Sequence, residues 1–296
     1  MSSRRAVLLA LAAAGCGPLP QPFRGNPGRT ARRLARPPAY RIAVTEPADA
    51  RLLEADARIL VESLVEALAA QDLLVVSGPG LPLDWRLSLL TEWQGGIVLP
   101  RFILRDADGR LLGEVTARPM PGRDWVEGGP PVLRAVTAAV APAIADLAAA
   151  RDAERRTGDA TTAGGPPIIR LLPVTGAPGD GNRSLTARMR ERLTALGLRV
   201  QDGAEGAAFA LSGQVTLAPV SRTQQRIEIV WTVSRRDGED LGRVLQLNEI
   251  PAGSLNGLWG DVALVVAEEA AGGVRDVIAN AGGLTPAPAS TPGPAR

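Results

Sequence analysis

The chain of 296 residues carries 33 basic and 31 acidic residues, one cysteine and no histidine, and every basic residue is arginine. The absence of histidine excludes Ser-His-Asp and Cys-His catalysis and histidine-ligated metal sites. The formal net charge is only +2, and six arginines lie without an acidic residue between Cys16 and Arg41, so the remainder is slightly acidic and we expect no nucleic-acid partner.

The N-terminus has the pattern of an export signal. Arg4 and Arg5 precede the apolar run Ala6–Ala14, which is too short to span a bilayer. The run ends in the letters AAGC, which resemble the lipobox of bacterial lipoproteins. The resemblance implies that residues 1–15 are a signal peptide, that cleavage falls between Gly15 and Cys16, and that Cys16 receives lipid, including palmitate.

The lipobox resemblance leaves two alternatives open. Ala13 stands where a leucine is usual, so an ordinary secretory leader with a bystander cysteine, or an uncleaved anchor, also fits. Export through the general or the twin-arginine route stays open as well. Gly17 follows the cysteine, whereas the sorting rule known for enteric lipoproteins retains proteins with aspartate there at the inner membrane. We therefore expect an outer-membrane lipoprotein that faces the periplasm, with the inner membrane as the alternative.

Residues 16–39 are rich in proline and glycine and lack hydrophobic periodicity. This composition predicts a disordered tether behind the acylated Cys16. Its arginines either lie against anionic lipid headgroups or keep the tether soluble.

Residues 40–150 contain both strand and helix patterns. Apolar residues with period two predict strands, and apolar residues at spacings of three and four predict helices. The predicted elements are strand Tyr40–Val44, helix Ala50–Ala70, strands Leu73–Val76 and Trp85–Trp93, a hairpin that turns at Asp108-Gly109, and helix Val132–Ala149.

Residues 167–282 show the same succession. Arg226–Ser234 alternates cleanly, and Asp237-Gly238 is a strong hairpin signal. The predicted elements are strand Ile168–Leu172, a helix capped by Asn182 or Ser184 with Gly197 at its end, strands Leu198–Gln201, Phe209–Leu217, Arg226–Ser234 and Leu241–Leu247, and a last helix from Leu258 with Trp259, Val262, Val266, Ala270, Val274, Val277 and Ile278 on its apolar face.

The two stretches align with a constant offset around the hairpin. Asp108 and Asp237 are 129 positions apart, and so are Gly113 and Gly242. Two unrelated segments that share a common hairpin are the alternative, but turn, strand phase and last helix agree in order. We interpret the chain as an α+β protein with two repeated β-α-β-β-β-α sandwich domains, each a small, mostly antiparallel sheet covered by helices. The first domain is residues 40–150 and the second 167–282, with a linker at 151–166 and a disordered tail at 283–296.

One near-match to a calcium-binding loop occurs in the second stretch. Asp180, Asn182, Ser184 and Glu191 occupy loop positions one, three, five and twelve, but Leu185 stands where such a loop requires glycine. Helix capping is the favoured interpretation.

Asp106 and Asp108 lack the closing glutamate of a calcium-binding loop and are more simply turn residues. We expect Trp231 and Trp259 to be core aromatic residues, with an interface as the alternative. No G-x-S-x-G, Walker A or G-x-G-x-x-G pattern occurs. We therefore expect no metal, no cofactor and no catalytic residues.

The lipobox, the tether and the order of elements resemble bacterial outer-membrane lipoproteins with the domain type of the curli-secretion lipoprotein, the penicillin-binding-protein activator lipoprotein and the N-terminal domain of TolB. The resemblance is topological, covers residues 40–149 and 168–280, and carries over no functional residue. It implies a membrane-anchored periplasmic scaffold or adaptor that binds an envelope protein. The alternatives are a ligand- or lipid-binding accessory of an envelope transport system and, less favoured, a hydrolase that uses arginine and carboxylate groups.

Overall fold

The computed structural model describes residues 40–47, 50–160 and 166–282, with the backbone alone for residues 157–160. The predicted signal peptide, tether and tail, including Gly15 and Cys16, lie outside the described residues. We call residues 40–160 the first half and residues 166–282 the second half.

The first half is a twisted sheet with helices packed on one face. Its strands follow the order β2-β1-β3-β4-β5, and β6 pairs with β4. Strand β1 runs parallel to β2 and β3, and the other pairs are antiparallel. The elements are β1 Ile42–Val44, α1 Glu54–Ala69, β2 Val75–Ser77, β3 Trp85–Gln94, β4 Ile97–Arg105, β5 Leu111–Thr116, β6 Met120–Pro121, α2 Gly122–Glu127 and α3 Gly129–Ala160.

The second half has the same plan. Its sheet order is β8-β7-β9-β10-β11, with β7 parallel to β8 and β9 and the remaining pairs antiparallel. The elements are β7 Ile168–Leu171, α4 Gly181–Ala195, β8 Arg199–Gln201, β9 Phe209–Pro219, β10 Gln224–Arg235, β11 Asp240–Pro251 and α5 Gly260–Asn280.

The predicted α+β class and the mostly antiparallel sheets covered by helices are confirmed. The matching strand order and directions of the two sheets fit the predicted duplication. The predicted β-α-β-β-β-α order is short by one strand. Four strands separate α4 from α5, because the short strand after the first helix joins the sheet as well as the long strand before the hairpin. The equivalent four separate α1 from α3 in the first half, where the two-residue β6 adds a fifth.

Fine details of the two hairpins agree as well. The register shifts after Leu104 in β4 and after Val233 in β10, which are 129 positions apart. Strand β5 continues past this irregularity for a few residues, whereas β11 is twelve residues long. The halves therefore differ in the length of their outermost strand.

Glycines lie at equivalent positions where the last helix of each half crosses the hairpin. A Cβ atom on Gly113 would lie 2.7 Å from Cδ1 of Leu147, which belongs to α3. A Cβ atom on Gly242 would lie 3.4 Å from Cγ1 of Val277 in α5, and the φ angle of Gly242 is +150°. The offset seen in the sequence thus corresponds to the same close helix–strand approach in both halves.

A tryptophan that precedes the last helix of each half bonds to the loop before the first main helix. The indole N–H of Trp125 donates to the carbonyl of Ala50 at 2.8 Å, and that of Trp259 donates to the carbonyl of Pro178 at 2.9 Å. Both acceptors lie in the loop before the first main helix of their half. Trp231 and Trp259 are 0% and 1% exposed, which confirms the prediction that both are core aromatic residues.

Helix α3 is longer than predicted. The prediction ended it at Ala149 and began the linker at residue 151, whereas the helix continues to Ala160. Asp152 is 4% exposed, and its carboxylate pairs with Arg155 at 2.8 Å, one helical turn later. Such pairs stabilise a polar helical segment that has no apolar periodicity for a sequence reader to follow.

The predicted apolar face of α5 is wrong in part. Val262 is 44% exposed, whereas Ala263, Ala267 and Ala271 are at most 1% exposed. These alanines lie on one face of the helix at spacings of four, and α5 packs against α4. The prediction gave weight to the large side chains, although small ones let two helices approach closely.

One described helix, at Gly129–Arg156 of α3, is long and apolar enough to cross a membrane by length and composition. The same helix contributes Leu133, Val140 and Ile144 to the first hydrophobic core. A core helix has the same composition, so this observation does not assign α3 to a membrane.

Candidate functional site

The calcium-like pattern is dispersed in the structure. Asp180 is the residue before α4, and its carboxylate accepts the Ser184 hydroxyl and the Trp259 N–H, both at 2.8 Å. Asn182 accepts the N–H of Ala177, and Glu191 pairs with Arg188. The N-cap of α4 is Asp180, so the prediction that Asn182 or Ser184 caps this helix is wrong. Among the described residues, no group of three or more carboxylate or thiol side chains gathers at one point.

The end of α4 agrees with the prediction. Gly197 has a φ angle of +83°, and its N–H donates to the carbonyl of Thr194, while the Leu198 N–H donates to that of Leu193. This pair of bonds is the Schellman arrangement, in which glycine is favoured because it adopts positive φ without steric strain.

A buried ion pair connects the two halves at β1. The guanidinium of Arg41 contacts both oxygens of Asp84, with Nη2–Oδ2 at 2.7 Å and Nε–Oδ1 at 3.1 Å. The carboxylate of Asp84 is 1% exposed and also accepts the N–H of Leu81. Nη1 of Arg41 donates to the carbonyl of Gly238 at 3.2 Å, in the β10–β11 turn of the second half. One charged group therefore fixes a loop of the first half and a turn of the second.

A second arginine makes the reciprocal contact. Arg170, on β7 of the second half, pairs with Asp108 of the first-half hairpin turn at 2.9 Å and donates to the carbonyl of Ala107. Asp108 in turn accepts the N–H of Ala204 at 2.9 Å. These bonds are charge-assisted and partly shielded from water, conditions in which such bonds are strongest.

Apolar contact completes the junction. Leu83, which precedes Asp84 in the first half, packs on Ala207 and Ala210 of the second, and all three are buried. The two halves are therefore joined by two arginine-centred networks around a small apolar patch.

Beside this junction lies a groove of about 540 Å³, which we call the central groove. Its apolar lining includes Leu83, Trp85 and Leu112 from the first half and Ile168 from the second. Trp85 is held by stacking on Tyr40, with ring centres 4.1 Å apart and planes 8° apart. The groove thus has an apolar base built by both halves.

Charged groups surround the central groove in balanced numbers. Four arginines and four carboxylates line it, and several already pair: Arg110 with Asp106 at 2.8 Å and Arg151 with Glu154 at 2.8 Å. The hydrogen bond that Arg110 donates to the Asp106 carboxylate raises the pKa of Arg110, so this guanidinium stays charged. The lining contains no hydroxyl, thiol or imidazole group, and its arrangement suits binding by contact with a mixed apolar and polar surface.

Leu111 stands at the mouth of the central groove. It lines the groove and is 58% exposed, at the first position of β5. Leu111 therefore adds an exposed apolar side chain to the mouth of the groove.

Gly15 and Cys16, the predicted site residues, lie outside the described part of the chain, so their role stays a prediction. The residues that build the groove were not predicted as a site. The prediction that Asp106 and Asp108 are turn residues is confirmed: Asp108 lies in the turn, and the Asp106 carboxylate accepts the N–H groups of Asp108 and Arg110. Nothing in the spacing of Asp108 indicates its partner Arg170, which is distant in sequence.

Comparisons with known proteins place the chain in no family. No family model matches it, and no curated protein does. Part of the chain is similar to three solved structures. A PelC dodecamer from Paraburkholderia phytofirmans is 13% identical over 36% of this chain and 84% of that one, with a TM-score of 0.27. TolB from Acinetobacter baumannii is 12% identical over 40% of this chain and 29% of that one, with a TM-score of 0.28.

The third structure is lipoprotein GNA1162 from Neisseria meningitidis, which is 18% identical over 39% of this chain and 98% of that one, with a TM-score of 0.25. Bacterial lipoproteins and TolB are thus among the proteins that part of this chain is similar to. At TM-scores of this size the likeness carries no conclusion about function.

Proposed function

We propose that this protein is a lipid-anchored adaptor of the bacterial envelope, which binds another envelope protein in the central groove without catalysing a reaction. The observation that carries the proposal is the groove itself, because both halves build its apolar base and the Arg41 and Arg170 networks join those halves. The export signal and Cys16 support the membrane attachment.

The chemistry of the groove favours a protein segment as occupant. Its charged rim is balanced in sign, so it offers hydrogen bonds and ion pairs to a mixed surface rather than attraction to one strong charge. Apolar centres with polar rims are the usual anatomy of protein–protein contacts. Leu111 at the mouth is the exposed anchor that such a contact would bury.

Site-specific photocrosslinking tests the adaptor role. A photoreactive residue at position 111 is expected to capture a defined protein from intact envelopes. The same residue at Leu53 is the control, because Leu53 is 74% exposed and does not line the groove. Capture at neither position, or equal capture at both, contradicts the adaptor proposal.

The anchor is tested separately by mass. Mature wild-type protein is expected to carry acyl chains on Cys16 and to fractionate with membranes. Cys16→Ala is expected to abolish the acyl mass and the attachment. Unchanged membrane attachment of Cys16→Ala contradicts lipid anchoring and leaves the groove proposal standing.

A ligand-binding role is the second candidate. The volume of about 540 Å³ lies within the range of roughly 300–1,000 Å³ that is usual for small-molecule sites. In this case a small or lipidic molecule occupies the groove, and the protein is an accessory of a transport system. Native mass spectrometry distinguishes the two roles: a bound small molecule that Leu111→Glu removes and Leu53→Glu retains favours the ligand.

A further inference from the structure

The outer edge of β11 is the longest open strand edge among the described residues. Strand β11 runs for twelve residues, Asp240–Pro251, and pairs with β10 alone. The other sheet-edge strands are shorter: β2 and β8 have three residues each and β5 has six. A long open edge presents unpaired backbone groups to any strand that approaches it.

The hydrogen-bond pattern shows which groups point outward. The N–H of Ala252 donates to the carbonyl of Thr223 at 3.0 Å, in line with the register that sets Pro251 opposite Gln224. Because successive residues of an antiparallel strand point their N–H and C=O groups to opposite sides, even-numbered residues bond β10. The outward groups therefore belong to alternate residues, which include Arg243, Leu245, Leu247 and Glu249.

The side chains of these residues share one face of the sheet. Leu245 and Leu247 are 59% and 52% exposed. Gln246 between them faces the opposite side, where its amide contacts the Val266 carbonyl of α5 and the Trp231 indole. Two exposed leucines on an open edge are unusual, because natural sheets generally protect such an edge with charge, proline or a short strand.

Charges flank the leucines with opposite signs at equal distances. Arg243 lies three residues before Gln246 and Glu249 three residues after it. In a two-fold interface, a residue that contacts a second residue of the partner copy is matched by the same contact in reverse, so the surface must be complementary to itself. The order arginine, leucine, leucine, glutamate around Gln246 satisfies this requirement.

We propose that β11 pairs antiparallel with β11 of a second copy of this chain, with the two-fold axis at Gln246. Leu245 then lies opposite Leu247 of the second copy, and Arg243 lies opposite Glu249 of the second copy. Every such pair joins residues whose backbone groups point outward, so the ladder hydrogen bonds form in the same register. Pro251, which has no N–H, ends the pairing opposite Leu241.

Neighbouring registers lack this match. An axis at Leu245 sets Arg243 against Leu247 of the second copy, and an axis at Leu247 sets Glu249 against Leu245 of the second copy. Each leaves the charges without partners and keeps one leucine–leucine pair, whereas the axis at Gln246 forms two. The proposed register alone joins both features, and the central groove takes no part in it.

Charge reversal tests the register. The purified full-length protein is expected to sediment as a dimer that dissociates on dilution. Arg243→Glu and Glu249→Arg are each expected to weaken dimerisation by about tenfold or more, because each places two like-charge pairs across the axis. The double variant is expected to recover the wild-type dissociation constant within about threefold.

The double variant separates the interface from effects within one chain. Arg243 pairs with Asp240, and Glu249 with Arg226, in the same chain, and both contacts stay disrupted when the charges are exchanged. Rescue therefore comes only from the second copy. Arg118→Glu is the matched control at an exposed position of the first half and is expected to leave dimerisation unchanged. A wild-type protein that stays monomeric at every soluble concentration, or a dimer that neither reversal weakens or that the exchange fails to restore, overturns the proposal.

Discussion

The hairpin turns of the two halves occupy equivalent positions and contact the opposite half through different groups. Asp108 of the first turn reaches into the second half, where it pairs with Arg170 and accepts the Ala204 N–H. Asp237 of the second turn stays within its own hairpin, where it pairs with Arg235. The second turn reaches the first half through a backbone group instead, since its Gly238 carbonyl accepts a hydrogen bond from Arg41.

The outermost strands of the two halves also differ, in length and in surroundings. Strand β5 begins at the central groove with Leu111 and is short, whereas β11 is twice as long and open along its outer side. Two sheets with the same strand order can therefore carry outermost strands of different length and turns with different contacts.

The largest expected effect tests whether the halves unfold together. Trp231→Ala removes a fully buried indole, and Phe102→Ala makes the equivalent deletion in the first half, where Phe102 is 1% exposed. Each is expected to lower the free energy of unfolding by about 3–5 kcal/mol. Because Arg41 and Arg170 bridge the halves, both variants are expected to shift one common urea transition followed by circular dichroism. Two transitions, of which each variant moves a different one, contradict this coupling.

The next effect concerns the junction itself. Asp84→Ala leaves the guanidinium of Arg41 without its carboxylate and the Leu81 N–H without an acceptor. It is expected to lower the free energy of unfolding by about 2–4 kcal/mol, as removal of one partner of a shielded ion pair does. Arg101→Ala is the control, because Arg101 pairs with Glu92 and Glu114 on the exposed sheet face, where ion pairs add little to stability, and it is expected to cost clearly less than Asp84→Ala. Equal losses in urea titrations contradict the special role of the junction.

A smaller effect distinguishes steric contact from backbone strain as the reason for glycine at positions 113 and 242. Gly113→Ala is expected to cost about 1–3 kcal/mol through the contact with Leu147, and Leu147→Ala in the same chain is expected to relieve part of that cost. Gly242→Ala is strained by its positive φ, so Val277→Ala is not expected to relieve it. A double-mutant cycle on urea stability measures both couplings. Equal coupling in the two halves shows that the glycines serve the same purpose.

The core strands were predictable because each faces the helices on one side and solvent or a polar surface on the other. In β10 this places Ile229, Trp231 and Val233 at alternate positions, which is the strongest periodic signal in the chain. Gly113 and Gly242 show the offset because Leu147 leaves no room for a side chain at position 113 and the φ angle of +150° favours glycine at position 242. Packing in the core thus left a record in residue type and spacing.

The candidate site left no such record. Arg170 stands in a short strand where alternation reads it as solvent-facing, yet its side chain is only 16% exposed at the junction. Arg41 bonds a carbonyl 197 residues away, and a backbone acceptor carries no sequence signal. Packing through alanine is also hard to recognise in a sequence, since the buried Ala263 and Ala267 of α5 resemble ordinary helix-forming residues. Contacts between distant segments were therefore beyond the reach of periodicity.

The smallest expected effect is on the pH dependence of stability, which differs between the start of α4 and the start of α1. Helix α4 begins after Asp180, whereas α1 begins after Leu53, which has no carboxylate. Hydrogen bonds from the Ser184 hydroxyl and then from the Trp259 N–H lower the pKa of Asp180. A lowered folded-state pKa means that the contribution to stability is complete above the unfolded value of about 3.9 and is lost as the pH falls through the folded value.

Ser184→Ala is therefore expected to raise the pKa of Asp180 towards its usual value and to reduce the loss of stability between neutral and acidic pH. The carboxyl carbon shift of Asp180, followed by NMR during an acid titration, measures the pKa in both proteins, and urea titrations along the same pH series measure stability. Asp180→Asn removes the titrating group and is expected to flatten this component altogether. If Ser184→Ala leaves the pKa of Asp180 unchanged, then the hydroxyl is not the main cause of the lowered pKa. The Trp259 N–H, which ties α5 to α4, then becomes the contact that makes the acid stability of the second half differ from that of the first.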